Sequence, residues 1–535
     1  MVRLKRAHQA QRALTLLAAV AAALPVIAST VRGLAEHWMP AGDQAIIAIR
    51  SYDVLGSHTP LVGQYSYAGL VTGQLTHSLG PMLYWLLALP ARFGPAGAQP
   101  LTMGIVNAAC VVGVLLLARR RGGTTLMLAT ALAIALMCRS LGTETFHDTW
   151  NPSAGVFPFT LLIFVCWSLA CGEYRLLPLA VLLASFVAQC QLAYLPPAVG
   201  MLAIGAGGLF AARPKAWRRW ALVALGVAVV CWAAPVYDQI VGSGNFSRVV
   251  RSATTSTSTL GSSVGWHAAV RAVGLPPWWL VRPHTSFDRQ HDVRGAQGTL
   301  RTATAVALLL ALLTALLVGL RRRRADVAAG AAIALVLVGA LAAVAADTPT
   351  VPRLAATLGY TLWWASPAGM WVWLLIAFAA VALGPGALRH VRAPALTWVL
   401  ALGALTAGAA VSAAAGPDQH AGEYAALGTL TRSLNRSVPR DKTVLIAGTL
   451  APSTIIARPT ITWALRRHGD RVLGSGELQR LGDYYEYRGQ RYDYILYAYD
   501  SPRAAVPPGA RSVIRLPWSG HTIVVSLAPA APTRH

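Results

Sequence analysis

The chain alternates long apolar runs with short polar connections over residues 1–415. Each run approaches the ~20 residues with few charges that an α-helix needs to cross the ~30 Å hydrocarbon core of a bilayer. The pattern predicts an α-helical polytopic membrane protein with about eleven spanning helices. The predicted spans are residues 13–32, 101–118, 123–138, 154–171, 176–193, 195–211, 219–235, 302–320, 327–345, 366–384 and 395–414.

Basic residues cluster in the connections between these runs, where Lys and Arg mark the cytoplasmic side of a membrane protein. The clusters are Arg3 to Arg6, Arg119 to Arg121, Arg213 to Arg219, Arg321 to Arg324 and Arg389 to Arg392. With a cytoplasmic N-terminus and eleven spans, every cluster returns to the cytoplasm. We therefore expect a multi-pass protein of the cytoplasmic membrane whose C-terminus lies outside. We expect residues 13–32 to be a retained helix rather than a cleaved signal peptide.

One apolar segment, residues 81–93, is too short to span a membrane by itself. Counting it as a span would place Arg119 to Arg121 outside, so we interpret it as an interfacial helix with Tyr84 and Trp85 at headgroup level. The outer side then receives residues 33–100, 139–153, 236–301 and 346–365, together with everything after the last span.

Composition supports this class of protein. Of 535 residues, 55% are hydrophobic and 12% are charged, which is too apolar for a soluble protein of this size. The formal net charge of +25 would suit nucleic-acid binding, but the basic residues follow the membrane pattern instead. We expect membrane lipids and no nucleic acid as partners. No P-loop, zinc-protease, nucleophile-elbow or dinucleotide motif is present.

The pattern of hydrophobic and polar residues changes after residue 415. Residues 416–535 combine amphipathic stretches with short β-branched runs and predict a small extracytoplasmic α/β domain, whereas residues 1–415 form the transmembrane domain with a first outer loop at 33–100. The predicted helices are 419–436 and 451–468, and the predicted strands are 443–446, 492–499, 512–516 and 522–527.

Asp43 follows the first predicted span, and Asp53 follows ten residues later in a stretch with helical spacing. We expect the two carboxylates to lie roughly on the same side of one helix. A carboxylate at the mouth of a helical bundle can accept a proton from an acceptor hydroxyl. An aspartate in a first turn is also explained by helix capping, so spacing alone leaves both interpretations open.

Two further groups of polar residues lie on the predicted outer side. The first contains Gln64, Tyr65 and His77, with Gly80-Pro81 opening the interfacial helix. The second is the loop 139–153, whose mixture of amide, carboxylate and indole groups suits a sugar. Its candidate residues are Arg139, His147, Asp148, Trp150 and Asn151. A metal site is the alternative for this loop, but its spacing matches no named metal motif.

Several arginines, each able to hold a phosphate through paired hydrogen bonds, also fall on the outer side. They are Arg139, Arg248, Arg251, Arg282 and Arg353. The sequence does not choose among them.

The order of these features resembles the GT-C glycosyltransferases, which include lipid A aminoarabinose transferases, protein O-mannosyltransferases and their actinobacterial relatives. The resemblance rests on Gly42-Asp43 after the first span and on His77 with Gly80-Pro81 before an aromatic interfacial helix that ends at Phe93-Gly94. It covers the first ~210 residues, and beyond them only the topology matches. Gln44 stands where family members often carry a second acid.

The resemblance implies a polyprenyl-phosphate-linked sugar donor and an envelope glycan, glycolipid or protein as acceptor. It also implies inverting transfer on the outer face, with Asp43 as the base. Asp53, His147, Asp148 and Asn151 would then position the sugar or the acceptor. The activated donor requires no soluble cofactor, and a divalent cation is left open. A transporter or flippase of lipid-linked glycans is the competing hypothesis, but it would favour charges near the bilayer centre, where these spans carry few.

Overall fold

The structure is a computed structural model. It describes residues 2–212, 217–255, 257–281, 288–384, 394–448, 450, 456–500, 506–518 and 521–530.

Helices dominate the chain up to residue 414, and a small sheet follows. The helices are α1 (Val2–Ala35), α2 (Gly42–Asp53), α3 (Met82–Phe93), α4 (Ala98–Cys138), α5 (Asn151–Ala154), α6 (Val156–Ala170), α7 (Leu177–Cys190), α8 (Leu195–Ala212), α9 (Trp217–Val241), α10 (Asn245–Thr254), α11 (Gly261–Val273), α12 (Asp288–Arg294), α13 (Thr299–Arg321), α14 (Ala325–Ala346), α15 (Pro352–Thr361), α16 (Ala365–Leu383), α17 (Pro394–Ala414), α18 (Ala421–Ser437) and α19 (Ala457–His468). The strands are β1 (Tyr65–Ser66), β2 (Thr76–His77), β3 (Thr443–Ala447), β4 (Arg471–Gly474), β5 (Tyr494–Asp500), β6 (Arg511–Trp518) and β7 (His521–Pro529).

In the described parts of the chain, nine helices are long and apolar enough to cross a membrane. One of them, α4, leaves helical geometry at Gly122 and Gly123 and so supplies two apolar segments. Helix α7 and the 3₁₀ turn that precedes it form a continuous apolar segment, Tyr174–Cys190, whose 17 residues supply a further short span. These segments coincide with the eleven predicted spans, which confirms the predicted fold class. The protein is a multi-pass membrane protein.

Helix α3 matches the predicted interfacial segment. Its 12 residues extend about 18 Å at 1.5 Å per residue, well short of a ~30 Å hydrocarbon core. Leu89 and Phe93 are exposed on one side, whereas Leu83, Tyr84 and Leu87 are buried against the bundle. The helix therefore presents an apolar edge outward without the length to cross.

The C-terminal region, which we define as residues 416–530, contains a five-stranded sheet in the order β4-β3-β5-β7-β6. Strands β4, β3 and β5 are parallel, β7 runs antiparallel to β5, and β6 runs antiparallel to β7 at the edge of the sheet. The four predicted strands and the helix at 419–436 are present. Strand β4 was not predicted, and residues 451–455 of the other predicted helix lie outside the described residues.

Two hydrophobic cores organise the chain. The larger lies among the membrane helices. The smaller is built from the C-terminal region together with Trp38, Met39 and the apolar face of α2. Part of the predicted first outer loop therefore packs with the C-terminal region, whereas Ile47 of α2 belongs to the larger core.

Candidate active site

Asp43 lies in the first turn of α2 and is exposed, whereas Ala45 to Ile49 of the same helix are buried. Both carboxylate oxygens accept a hydrogen bond: Gln64 Nε2 donates to Oδ1 at 3.3 Å and Trp150 Nε1 donates to Oδ2 at 3.1 Å. Two neutral donors and the positive end of the helix dipole stabilise a carboxylate anion. Such an anion is placed to accept a proton from a bound hydroxyl.

An aromatic wall, formed by Trp150, Tyr360 and Trp363, stands beside this carboxylate. The Trp150 ring centre lies 4.9 Å from that of Tyr360 and 5.8 Å from that of Trp363. Trp150 and Tyr360 remain partly exposed, whereas Trp363 is buried. Exposed aromatic faces next to a carboxylate and an amide supply both the stacking and the hydrogen bonding that a sugar ring needs.

Asp148 is buried behind this wall and fixes the loop that carries Trp150. Its Oδ1 accepts hydrogen bonds from Gln44 Nε2 at 2.9 Å and from the Trp150 backbone N–H at 2.9 Å, and its Oδ2 accepts one from the Ser153 hydroxyl at 2.8 Å. Burial raises the pKa of Asp148, and the three donors oppose that rise. Asp148 thus couples the position of Gln44, the neighbour of Asp43, to that of Trp150.

His147 is fully buried and joins three parts of the chain. Its Nε2 lies 2.9 Å from Asp418 Oδ2 and its Nδ1 lies 3.2 Å from the Ser29 hydroxyl of α1. The Tyr424 hydroxyl donates to the same Asp418 oxygen at 3.0 Å. His147 therefore anchors the loop to α1 and to the C-terminal region, and it does not line the open surface beside Asp43.

Glu144 lies in the one-turn 3₁₀-helix of this loop, Thr143–Phe146. Burial raises the pKa of Glu144 from its ordinary value of 4.5 to about 7; Asp148 and Asp418 add to the rise, and His147 opposes it. The folded protein thus holds this proton more tightly than the unfolded chain does. The resulting stabilisation is complete below about pH 4.5 and is lost as the pH rises through about 7.

We expect the melting temperature of the wild-type protein to fall as the pH rises from about 5 to about 8, and Glu144→Gln to reduce that fall, because the amide does not ionise. Differential scanning fluorimetry in detergent measures the two slopes. Asp347→Asn, which alters an exposed carboxylate at the end of α14, is the matched control and should keep the wild-type slope. Identical slopes for the wild type and Glu144→Gln would contradict the assignment.

Gln64 immediately precedes a short hairpin formed by β1 and β2. Two arginine side chains lie over the rings of Tyr65 and Tyr67 in this hairpin. The rings of Tyr65 and Tyr67 meet edge to face at 5.4 Å. The Arg480 guanidinium lies 4.6 Å from the Tyr65 ring centre, and the Arg353 guanidinium lies 6.0 Å from that of Tyr67. Two cations therefore lie over tyrosines that follow Gln64 closely in the chain.

His77 is part of β2, opposite Tyr65, and thus lies before α3 rather than at its start. Asn245 holds its backbone from both sides: Oδ1 accepts from the His77 N–H at 2.8 Å, and Nδ2 donates to the His77 carbonyl at 3.1 Å. Burial lowers the pKa of His77 to about 4, so its ring is neutral at physiological pH. Its ring meets that of Tyr65 edge to face at 6.3 Å.

Comparison with solved structures places this geometry in a known architecture. ArnT from Cupriavidus metallidurans bound to undecaprenyl phosphate superposes with a TM-score of 0.51 at 12% identity, covering 95% of this chain and 97% of that chain. The chain has a GT-C-type fold. The Archaeoglobus fulgidus oligosaccharyltransferase in complex with zinc and sulfate matches with a TM-score of 0.38 at 13% identity, over 90% of this chain and 67% of that chain. No protein-family model and no curated protein matches the sequence.

Within this GT-C-type fold, the structure brings five of the predicted site residues together. Asp43, Gln64, Trp150 and Asp148 are connected through hydrogen bonds, and Tyr65 follows Gln64 in the chain; His77 contacts the Tyr65 ring, and the His147 side chain pairs with Asp418 instead. In the described residues, no group of three potential ligands among His, Cys, Asp and Glu is arranged to hold a metal ion.

Asp53 does not join this cluster, so the prediction that the two carboxylates share one side of α2 is wrong. Residues ten apart on a helix are rotated by about 80° from one another at ~100° per residue. Asp53 is 1% exposed and pairs with Arg466 and Tyr485 of the C-terminal region, whereas Asp43 contacts Gln64 and Trp150.

Arg139 and Asn151 also lie away from Asp43. Arg139 ends α4 and lines a cleft against α17, together with Phe146 and Ala414. Asn151 is buried, and its Nδ2 donates to the Cys190 carbonyl at the end of α7 at 2.8 Å. Among the other arginines that were predicted to lie outside, Arg248 approaches the Leu75 carbonyl at 3.4 Å, and Arg282 lies outside the described residues.

Sequence reasoning missed several residues of this site. They are Gln44, Tyr360, Trp363 and Arg480. The aromatic run Tyr360-Thr-Leu-Trp-Trp, in a segment predicted to lie outside, was a usable signal for two of them. Gln44 and Arg480 carry no such signal, because only the packing of distant segments gives them their neighbours.

Proposed function

We propose that this protein is a glycosyltransferase that moves a sugar from a polyprenyl-phosphate carrier to a cell-envelope acceptor on the outer face of the cytoplasmic membrane. The observation that carries the proposal is the exposed Asp43 carboxylate beside the aromatic wall. It occurs in a GT-C-type fold shared with ArnT, which has been solved with undecaprenyl phosphate bound. The proposed orientation has the N-terminus in the cytoplasm and the C-terminal region outside.

In the proposed reaction, Asp43 accepts the proton of an acceptor hydroxyl as the oxygen attacks the anomeric carbon. The new carbon–oxygen bond forms on the face opposite the phosphate, so the anomeric configuration inverts. The bond from the anomeric carbon to the phosphate oxygen breaks, and its electron pair leaves with the polyprenyl phosphate. Gln64 and Trp150 hold the carboxylate in place through its two oxygens.

The departing phosphate needs positive charge nearby, because negative charge grows on its oxygen as the bond breaks. We assign this role to Arg353 and Arg480, which lie over the tyrosines that follow Gln64. Arginine suits a phosphate because its planar guanidinium offers paired donors. Trp150 and Tyr360 would then stack against the sugar ring.

The proposal is tested with purified protein in nanodiscs and a panel of polyprenyl-phosphate-linked hexoses and pentoses, combined with glycan, glycolipid and peptide acceptors. We expect one donor to release polyprenyl phosphate in proportion to the mass gained by an acceptor. Mass spectrometry measures both products.

The flippase hypothesis predicts a different result in the same system. A fluorescent polyprenyl-phosphate sugar would cross the bilayer of reconstituted vesicles without release of the carrier phosphate. Flipping with every donor intact would overturn the proposed transferase, whereas carrier release coupled to acceptor gain would support it.

A further inference from the structure

Helix α2, which carries Asp43, is held at its N-terminal end by the C-terminal region. The Thr460 hydroxyl of α19 donates to the Pro40 carbonyl at 2.7 Å, and the Gly42 N–H donates to the Ile456 carbonyl at 3.1 Å. Gly42 adopts a φ of +51°, in the region that favours glycine, as the chain turns into the helix. The residue immediately before Asp43 is thereby tied to the C-terminal region.

The other end of α2 is fixed by a buried ion pair. The Arg466 guanidinium donates to Asp53 Oδ1 at 2.8 Å, and the Tyr485 hydroxyl donates to Asp53 Oδ2 at 2.6 Å. Arg50, one turn earlier, lies 3.5 Å from Asp53 Oδ2. Asp53 is 1% exposed and Tyr485 is fully buried, so these bonds are shielded from water and stronger than surface pairs.

Arg466 is itself held in place. Its Nε donates to the Tyr485 hydroxyl at 3.1 Å and its Nη1 donates to the Asp470 carbonyl at 3.1 Å, while Nη2 contacts Asp53. The planar guanidinium of an arginine holds all three nitrogens in the fixed arrangement that these contacts require. Arg466 and Tyr485 of the C-terminal region therefore form a rigid binding site for the Asp53 carboxylate at the end of α2.

Between the two ends, one face of α2 belongs to the core of the C-terminal region. Ala45 and Ile49 are buried in the same hydrophobic cluster as Ile461 and Leu465 of α19. An isolated helix of 12 residues is only marginally stable in water. This packing and the two fixed ends therefore support the helical form and the orientation of α2, together with its contact with α3 on the side of Ile47.

We propose that the C-terminal region is a structural part of the active site, in which Asp53, Arg466 and Tyr485 are positioning residues that set the placement of Asp43. This inference rests on the proposed function, in which Asp43 is the base. Asp53 lies about 15 Å along the helix from Asp43, so a tilt of about 4° displaces the carboxylate by about 1 Å. A displacement of that size can lower a rate by about 10²-fold.

The test uses the full-length protein in nanodiscs with the variants Arg466→Gln and Tyr485→Phe, which alter only the C-terminal side of the contact. Arg488→Gln, which removes an exposed pair with Asp483 and Glu486, is the matched control. Hydrogen exchange measured by mass spectrometry reports on the amides of residues 42–53. Steady-state kinetics separates kcat from KM for the donor.

We expect faster exchange across 42–53 in Arg466→Gln and Tyr485→Phe, together with kcat lowered by about 10- to 10²-fold and a donor KM changed less than about twofold. Arg488→Gln should match the wild type in all three. Unchanged exchange would overturn the proposal, and so would a raised KM with kcat intact, which indicates direct substrate binding.

A folding failure and a failure of the proposed function can each be distinguished from a failure of the positioning proposal. If Arg466→Gln does not fold, Tyr485→Phe decides alone, because it deletes a single hydroxyl. If the wild type transfers no sugar from any donor, the proposed function fails, and the exchange of residues 42–53 still determines whether the C-terminal region fixes α2.

Discussion

Asp43→Asn is expected to lower kcat for sugar transfer by about 10²–10⁴-fold, the usual contribution of a general base. The amide has nearly the shape of the carboxylate, but it cannot accept the acceptor proton at neutral pH. The remaining amide oxygen can still accept from the buried Gln64 side chain, and the partly exposed Trp150 N–H can turn to solvent. The variant should therefore fold and enter the membrane like the wild type.

The measurement is the release of polyprenyl phosphate by purified protein, together with size-exclusion chromatography and a thermal melt. Asp347→Asn makes the same chemical change at an exposed position at the end of α14 and should retain full activity. Wild-type rates in Asp43→Asn would remove Asp43 from the role of base.

Asp148→Ala should have the second large effect, on both stability and transfer. Removing the buried carboxylate leaves the Gln44 amide and the Trp150 backbone N–H without their acceptor, whereas the Ser153 hydroxyl can still donate to the Trp150 carbonyl. Each buried donor left unpaired costs about 1–3 kcal/mol, so we expect the loss of two such hydrogen bonds to lower the free energy of unfolding by about 2–6 kcal/mol. Trp150 then loses its fixed position beside Asp43, and kcat falls with it.

Asp148→Asn provides the matched control. Its amide oxygen can still accept from Gln44 and Trp150, and the Ser153 hydroxyl can rotate to accept from the new amide N–H. We expect a melting temperature closer to that of the wild type and much of the activity. Equal melting temperatures for Asp148→Ala and the wild type would show that this carboxylate does not stabilise the loop.

Much of the architecture follows from local sequence patterns. The apolar runs predicted the membrane segments because a helix in lipid satisfies its own backbone hydrogen bonds and needs only length and hydrophobicity. The shortness of residues 81–93 likewise predicted a helix too short to cross. The alternation of β-branched residues predicted four strands after residue 440. Strand β4 was not predicted, because its four residues are too few to show a clear alternation.

The environment of each polar residue was less predictable. Asp43 and Asp53 lie near opposite ends of the same short helix, yet the first is exposed and the second is buried against Arg466. His147 and Asp148 are adjacent and polar, which suggested contact with a sugar. Both are buried, and each serves to anchor the loop.

The sequence by itself determined the membrane helices and four of the five strands of the C-terminal sheet, and it placed an aspartate shortly after the first span. Those properties depend on hydrophobicity and on periodicity over a few neighbouring residues. Tertiary structure alone decided that Asp43 meets Trp150, that His147 meets Asp418 and that Asp53 meets Tyr485. These pairs are 107, 271 and 432 residues apart in the chain, and only the packing of whole elements brings such positions within hydrogen-bonding distance.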